Sequence, residues 1–406
     1  MVRWINTPCT DPVGRVFIAG GRVYRAIFPG QENLARSIID NREVRALMDD
    51  GLIARMWVAD YRVNGCELVV EAEKAPFDVP CERFTRATLR AAALCWLEVC
   101  TRLLPAELAL SDAHYGNYML FGANEPRWVD LGSIRPPSAV GKEQPFRSFQ
   151  RFWSGMLAPL TLLETQPRHT RLARLAIADQ PCHGPLTTAD EAPLSVDEPV
   201  KDFLKQLHSE VKALGAEQAL GRLSAFITQL PAKVEADTAG DKEPAAAVLQ
   251  ELERQFSADR ISSVICLGSD AFRQFSRSWG KADALVIDEI EGNLDGLART
   301  LKRSDGGGQT ALYFVHPVNR AFLKSPPAAD AALAIDPLAR YTHNSHVEAE
   351  NLAHILGTLG GKLAVVVTKA TRKARTEQML RHEFPSVTTL AHSWLGIGPV
   401  VVVGRK

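Results

Sequence analysis

The chain contains no C-x-x-C pair. Its seven cysteines, Cys9, Cys66, Cys81, Cys95, Cys100, Cys182 and Cys266, are odd in number, and several sit in apolar runs. That pattern argues against a disulfide framework or a zinc site and for buried reduced thiols in a cytoplasmic protein. Cys182-His183 lies in a proline-rich loop without further ligand-type residues around it. Charge of one sign is also lacking: Lys+Arg and Asp+Glu both number 47, so the formal net charge is zero. Nucleic acid is therefore not expected as a partner, because its binding surfaces carry a basic excess. No apolar run reaches membrane-spanning length, and the start, MVRWINTPCTDP, lacks the apolar stretch of a secretory signal. There is no G-x-G-x-x-G; Gly14, Gly20 and Gly21 read as turn glycines.

What is present is a chain of 406 residues, 46% hydrophobic and 23% charged, enough for two or three domains with real cores. Its most informative stretch is Leu110–Ser133, LSDAHYGNYMLFGANEPRWVDLGS. Asp112, His114 and Asn117 stand there in the order D-x-H-x-x-N, and Asp130 ends a short apolar run. Gly116 turns the chain before a strand Asn117–Phe121, and Gly122-Ala-Asn124 closes a hairpin to Arg127–Leu131.

This constellation resembles the catalytic loop and following strand of the aminoglycoside phosphotransferase and choline kinase branch of the kinase fold. The resemblance implies that Asp112 orients an acceptor hydroxyl and takes its proton. It implies that Asn117 and Asp130 give hard oxygen ligands to Mg²⁺, and that His114 braces the loop. ATP and Mg²⁺ are the implied cofactors, and a small-molecule or glycan hydroxyl the implied acceptor. A protein partner or a second copy of the chain is left open.

Upstream, strands Arg15–Ala19 and Arg22–Phe28 join at Gly20-Gly21. A helical stripe of Ile38, Ile39, Val44 and Leu47 runs through Leu34–Met48. A second strand pair, Ala54–Arg62 and Glu67–Ala72, turns at Asn64-Gly65. Two strands, a helix and two strands resemble a reduced kinase N-lobe, which places Arg25 where kinases carry a lysine and makes Glu43 its helix partner. Residues 84–104 form an Ala-rich helix with Trp96 and Leu97 in its core, and Phe146–Leu163 reads as an apolar helical floor. Residues 166–200 read as loop, followed by helices Val200–Ala213, Ala216–Leu230 and Ala245–Phe256.

Beyond residue 256 the pattern changes. Apolar runs at Ser263–Leu267, Ala284–Asp288, Ala311–Val315, Ala331–Ile335, Lys362–Thr368, Val387–His392 and Val400–Val403 alternate with helical spacers. Such runs predict a parallel sheet buried on both faces. Ser393–Pro399 is too short for a crossover, so the last two strands are antiparallel neighbours. Seven strands with an antiparallel end resemble class I S-adenosylmethionine (SAM) methyltransferases, with SAM the implied cofactor and Gly268 and Asp288 its implied contacts. Cys266, Asp270 and Phe272 replace the acid and two glycines of that family's cofactor loop, which predicts weak SAM binding or none. Asp336-Pro337 echoes an acid-proline turn but reads as a loop exit. His343 and His346 read as helix-capping neighbours, and Lys369–Arg375 as a solvated helix start.

The order of the halves also resembles a bacterial group of two-part proteins named as class I SAM-dependent methyltransferases, which includes a nodulation protein. The likeness rests on DAHYGNYMLF, VDLGS and RFWSGMLAPLTLL. The expected fold is thus an α+β kinase-like domain (1–230), a linker and helix (231–255), and an α/β Rossmann-like, methyltransferase-like domain (256–406).

Residues 231–244, PAKVEADTAGDKEP, are charged and poor in apolar side chains, as interdomain linkers are. Limited proteolysis is expected to nick there first and to leave two stable fragments. First cleavage inside 260–400, read by mass spectrometry, contradicts that division.

Overall fold

The computed structural model describes residues 2–5, 11–139, 145–146, 148–166, 170, 173–174, 176–178, 198–231, 246–276, 282–288, 293–294, 297, 301, 309–314, 326–338, 341, 349–391 and 399–406. The loop expected over 166–200, most of the linker 231–244, Cys9, Cys182, His183, His343 and His346 fall wholly or largely outside the described residues. The structure is mixed α/β, with a five-stranded antiparallel sheet in the first half and a seven-stranded mixed sheet in the second.

The first sheet comprises β1 (Val2–Trp4), β2 (Gly14–Ala19), β3 (Arg22–Ile27), β4 (Met56–Val58) and β5 (Val69–Ala72), in the order β1-β2-β3-β5-β4. Side chains alternate across it. Phe17 and Tyr24, cross-strand partners, stack with centroids 5.2 Å apart on one face, while Arg25 opposes Val70 on the other. Between β3 and β4 the expected single helix is two, α1 (Glu32–Asp40) and α2 (Arg42–Asp49). The break is at Asn41, whose backbone is extended (φ −63°, ψ 131°) and whose carboxamide accepts from the Glu43 and Val44 amides. An Asn at that position starts a helix better than it continues one. Ile38, Ile39, Val44 and Leu47 are nevertheless all buried.

α3 (Arg86–Leu103) begins at a Thr85 cap, with Thr85 Oγ1 accepting from Thr88 N. Trp96 on α3 is fully buried and stacks on Phe152 at 4.7 Å. Phe152 ends α4 (Phe149–Phe152), which continues through a π turn, Trp153–Leu157, into α5 (Ala158–Thr165). Two further helices, Glu198–Lys212 and Ala216–Gln229, pack on this floor, and a third spans Ala246–Ala258. Among the described residues no helix is long and apolar enough to cross a membrane.

The seven expected apolar runs of the second half are strands. They are β10 (Ser263–Leu267), β11 (Asp283–Asp288), β12 (Thr310–Phe314), β13 (Ala329–Ile335), β14 (Gly360–Lys369), β15 (Ser386–Ala391) and β16 (Pro399–Arg405); β6 to β9 are short strands around the site, described below. Their order is β12-β11-β10-β13-β14-β16-β15; all neighbours are parallel except β16, which is antiparallel to β14 and β15. Strand alternation divides the apolar residues between two cores. Val264, Cys266, Val286, Leu333 and Val365 pack with Leu252, Phe272 and Phe275. Ile265, Leu267, Ile287, Ala334 and Val366 belong to a cluster continuous with the core of the first half. Cys81, Cys95, Cys100 and Cys266 are buried free thiols, and burial pushes those of Cys81 and Cys95 up to about 12, which leaves them unreactive.

Close approach between β13 and β14 requires glycine at one point. A Cβ on Gly360 would lie 2.4 Å from Leu363 O and 2.6 Å from Ala332 N, both backbone atoms that cannot step aside. Gly360→Ala is therefore expected to destabilise by about 1–3 kcal/mol, the cost of overpacking. Gly221, on an exposed helix surface with open space around it, gives the opposite expectation: Gly221→Ala stabilises by about 0.5–1 kcal/mol through helix propensity. Urea unfolding of both variants checks the pair.

Candidate functional site

Two polar constellations meet beside the Leu110–Ser133 stretch. The first is organised by Arg25 on β3. Its guanidinium donates through Nη1 to Asp11 Oδ2 in a short contact, and through Nη2 to Asp130 Oδ1 at 3.3 Å. Asp11 is held by its own turn, Oδ1 accepting from Val13 N at 2.8 Å. Asp130 follows a hairpin of β7 (Tyr118–Leu120) and β8 (Pro126–Trp128), and its Oδ1 also accepts from Gly132 N at 3.1 Å. A Cβ on Gly132 would lie 2.6 Å from Asp11 Oδ1 and 3.2 Å from Arg25 Nη1, so a side chain here would displace the ion pair. Burial, opposed by Arg25 and reinforced by the charges of Asp11 and Asp112, raises the Asp130 carboxyl above its ordinary range.

The second constellation is Asp112 with His114 and Arg151. β6 (Ala109–Leu110) pairs with β9 (Ile134–Arg135), and Ser111 N donates to Ser133 O at 2.7 Å, which closes the loop at its base. Asp112 Oδ1 accepts from Ala113 N at 2.9 Å and from Arg151 Nη1 at 3.1 Å; His114 Nε2 stands 3.1 Å from Oδ2. Burial would raise this carboxyl, but the hydrogen bond and field of His114, with Arg151, outweigh it and hold Asp112 below its ordinary value. Trp96 Nε1 donates to Asp112 O at 3.2 Å and Tyr115 Oη to Met156 O at 3.0 Å, so the core fixes the loop from beneath. Asn117 N donates to His114 O, and Val129 N to Asn117 O at 2.9 Å, tying the loop to the strand that ends at Asp130.

The structure thus joins Asp112 to His114 and Arg25 to Asp130, and ties Asn117 to the loop and to the strand before Asp130 through its backbone. It does not pair Arg25 with Glu43. Glu43 accepts from Arg102 Nε at 2.5 Å, because α2 packs along α3, whose Arg102 also reaches Asp50 at 2.6 Å. Arg25 meanwhile has both Nη groups engaged by Asp11 and Asp130. Asp11 and Arg151 were not expected at the site. Their only signals are an acid in an Asp-Pro turn just ahead of a strand, and one cation inside an apolar helix.

Mg²⁺ chemistry suits this donor set. One carboxylate and one amide are hard oxygen donors, and the buried Asn117 Nδ2 and His114 Nδ1 have no hydrogen-bond partner among the described residues. No group of three or more His, Cys, Asp or Glu stands ready to hold a metal among the described residues. Phosphate oxygens of a ligand would have to complete the shell. A separate pocket of about 440 Å³, lined by Pro29, Gly30, Glu32, Gly65, Cys66 and Glu67, shares no residue with this site.

In the second half the SAM-type residues are present but turned inward. Asp288 is fully buried at the end of β11, and its Oδ2 accepts from Ser269 N at 2.9 Å, Ser269 Oγ at 2.8 Å and Asn293 Nδ2 at 3.4 Å. Gly268 N donates to Ile287 O, closing the turn, and Phe272 is buried in the adjoining core. These residues do not fit SAM: the acid that would receive ribose hydroxyls is already satisfied by the chain, and an apolar ring occupies the glycine position. Asp336 has a left-handed backbone (φ 45°) and accepts from Thr368 Oγ1 at 3.0 Å and Arg372 Nη1 at 2.5 Å, joining the ends of β13 and β14. Compared with known proteins, the chain matches no protein-family model and no curated protein.

Removing the Arg25 head leaves two largely buried carboxylates facing each other. Arg25→Met is expected to cost about 1–3 kcal/mol at pH 7. The sign follows from Asp130: its folded-state value lies above the ordinary one and rises further without Arg25. The stability it permits is present below pH 4 and lost as pH rises through the folded value. The deficit of Arg25→Met should shrink on acidification, and Arg25→Met/Asp130→Asn should recover part of it. Denaturant unfolding at pH 7 and pH 4 measures both.

Proposed function

We propose that the first half is a kinase-like phosphotransfer site acting on the hydroxyl of a small molecule or glycan with Mg²⁺ and ATP, in a cytoplasmic two-domain protein. The observation that carries the reading is the single backbone frame that holds Asp112, Asn117 and Asp130 beside Arg25. The sheet order β1-β2-β3-β5-β4, with helices between β3 and β4, supports it as the outline of a kinase N-lobe.

Mg²⁺, held by Asn117 and Asp130, would supply charge neutralisation for phosphate oxygens. Asp112 stays ionised at neutral pH and points an acceptor hydroxyl through its hydrogen bond, so its work is orientation and proton acceptance. His114 and the Trp96 indole keep that carboxylate aimed. Arg25 fixes Asp130 through a planar fork that reaches two carboxylates at once, which a lysine ammonium does not match.

A second reading is favoured by one observation, the order β12-β11-β10-β13-β14-β16-β15, which fits a class I methyltransferase sheet. In it the second half binds SAM and the first half binds substrate or a partner. The satisfied Asp288 and buried Phe272 weigh against it, and we read the second half as a degenerate methyltransferase-like module.

Thermal shift with Mg·ATP, SAM and S-adenosylhomocysteine separately tests both. A ligand at 100 times its Kd stabilises by roughly 2.7 kcal/mol, so a binding partner is visible. Mg·ATP should raise Tm and SAM should not. Asp130→Ala should abolish the Mg²⁺-dependent shift; Asp112→Ala should keep it while removing transfer, because it acts on the chemical step. No shift with Mg·ATP defeats the phosphotransfer reading, and micromolar SAM binding lost in Asp288→Ala installs the second.

A further inference from the structure

Arg151 stands beside Asp112 with most of its donor capacity unspent. It sits on α4, which is clamped at both sides: Ser148 Oγ donates to Leu110 O at 2.7 Å just before it, and Phe149 and Phe152 are fully buried. The π turn Trp153–Leu157 follows at once, a distortion that concentrates at functional positions. Only Nη1 of Arg151 is engaged, by Asp112 Oδ1 at 3.1 Å and Ser111 O at 3.3 Å. Nε and Nη2 have no partner among the described residues, and the side chain is 54% exposed.

The two arginines of the site therefore differ in kind. Arg25, 13% exposed, is consumed by Asp11 and Asp130 and comes from the strand side. Arg151 comes from a helix, next to the carboxylate assigned to the acceptor hydroxyl. A guanidinium edge with two parallel N–H groups matches two oxygens of a phosphate or carboxylate.

Building on the phosphotransfer reading, we propose that Arg151 determines acceptor specificity: its Nε–Nη2 edge captures an oxyanion carried by the acceptor and so brings the acceptor hydroxyl to Asp112. The acceptor class is then an acidic hydroxy compound, such as a sugar or polyol bearing a phosphate, not a neutral or cationic one. The same edge also neutralises the repulsion that such an anion would meet from Asp112.

Calorimetry on the full chain tests this with glycerol 3-phosphate, inorganic phosphate and glycerol as probes. The wild type should bind both phosphates at millimolar concentration and not glycerol. Arg151→Gln should weaken phosphate binding by roughly tenfold or more, the worth of a charge-assisted pair of hydrogen bonds. Arg151→Lys should retain part, and Mg·ADP and Mg·ATP should bind Arg151→Gln as they bind the wild type. Equal phosphate binding by Arg151→Gln, or none by the wild type, overturns the proposal. So does loss of Mg·ATP binding with Mg·ADP intact, since that places the edge on the terminal nucleotide phosphate. Phosphate capture that depends on Arg151 in a chain that binds no Mg·ATP supports the oxyanion site and defeats phosphotransfer alone.

Discussion

The site depends on one guanidinium held between two acids. Arg25 joins the segment before β2 and the strand β3, two arms of one hairpin, to the turn after β8, 105 residues further on. Two carboxylates as close as Asp11 and Asp130 repel, and their partial burial strengthens the repulsion by lowering the effective dielectric. Arg25 cancels it with a rigid fork, each Nη on a different acid. The close fit that results leaves no room for a side chain at Gly132. One consequence is electrostatic: the strand-side cation is neutralised internally. Its charge is balanced by Asp11 and Asp130.

The rest of the loop is positioned by burial instead of charge. Trp96, Tyr115 and Trp128 are fully buried, yet each sends a polar tip to the loop or its floor: to Asp112 O, Met156 O and Asp130 O. An aromatic with a polar end suits this use, because its body fills the core while its donor fixes a backbone carbonyl. Asp112 and Asp130 are therefore anchored through their own main chains by residues of the core, while their carboxylates are held by charged and polar neighbours, Arg151 and His114 for Asp112 and Arg25 and Gly132 N for Asp130.

Legibility followed sequence distance. Asp112, His114, Asn117 and Asp130 lie on one loop and the hairpin that follows it, so their neighbourhood could be read from order and spacing. The Arg25–Glu43 pairing failed because each has another partner set by packing, Arg102 of α3 for Glu43 and the two acids for Arg25. Asp11 and Arg151 were invisible for a different reason: a lone acid in a proline turn and a lone cation in an apolar helix carry no local signal. Their partners are set by packing between distant elements. In the second half the inner strands were legible since they are apolar on both faces, and the short Ser393–Pro399 link already required an antiparallel pair with the more polar edge strand β15. The direction in which Asp288 points was not legible, because a strand-end acid looks the same whether it faces a ligand or the chain.

That last case separates the two halves chemically. Asp130 and Asp288 both stand at or just past the end of a strand, and both accept a backbone N–H, Asp130 from Gly132 in the turn that follows it and Asp288 from Ser269 just past the end of the neighbouring strand β10. Asp288 then takes the Ser269 hydroxyl and the Asn293 amide, becomes fully buried, and has no oxygen directed at solvent through those bonds. Asp130 takes a charged partner instead, keeps 23% of its side chain exposed, and its burial raises its proton affinity. A carboxylate satisfied by neutral donors of its own chain is a structural closure, whose removal leaves three donors unmet. The difference lies in the donors: neutral groups of the chain, Ser269 and Asn293, enclose Asp288, whereas a cation, Arg25, balances a partly exposed Asp130.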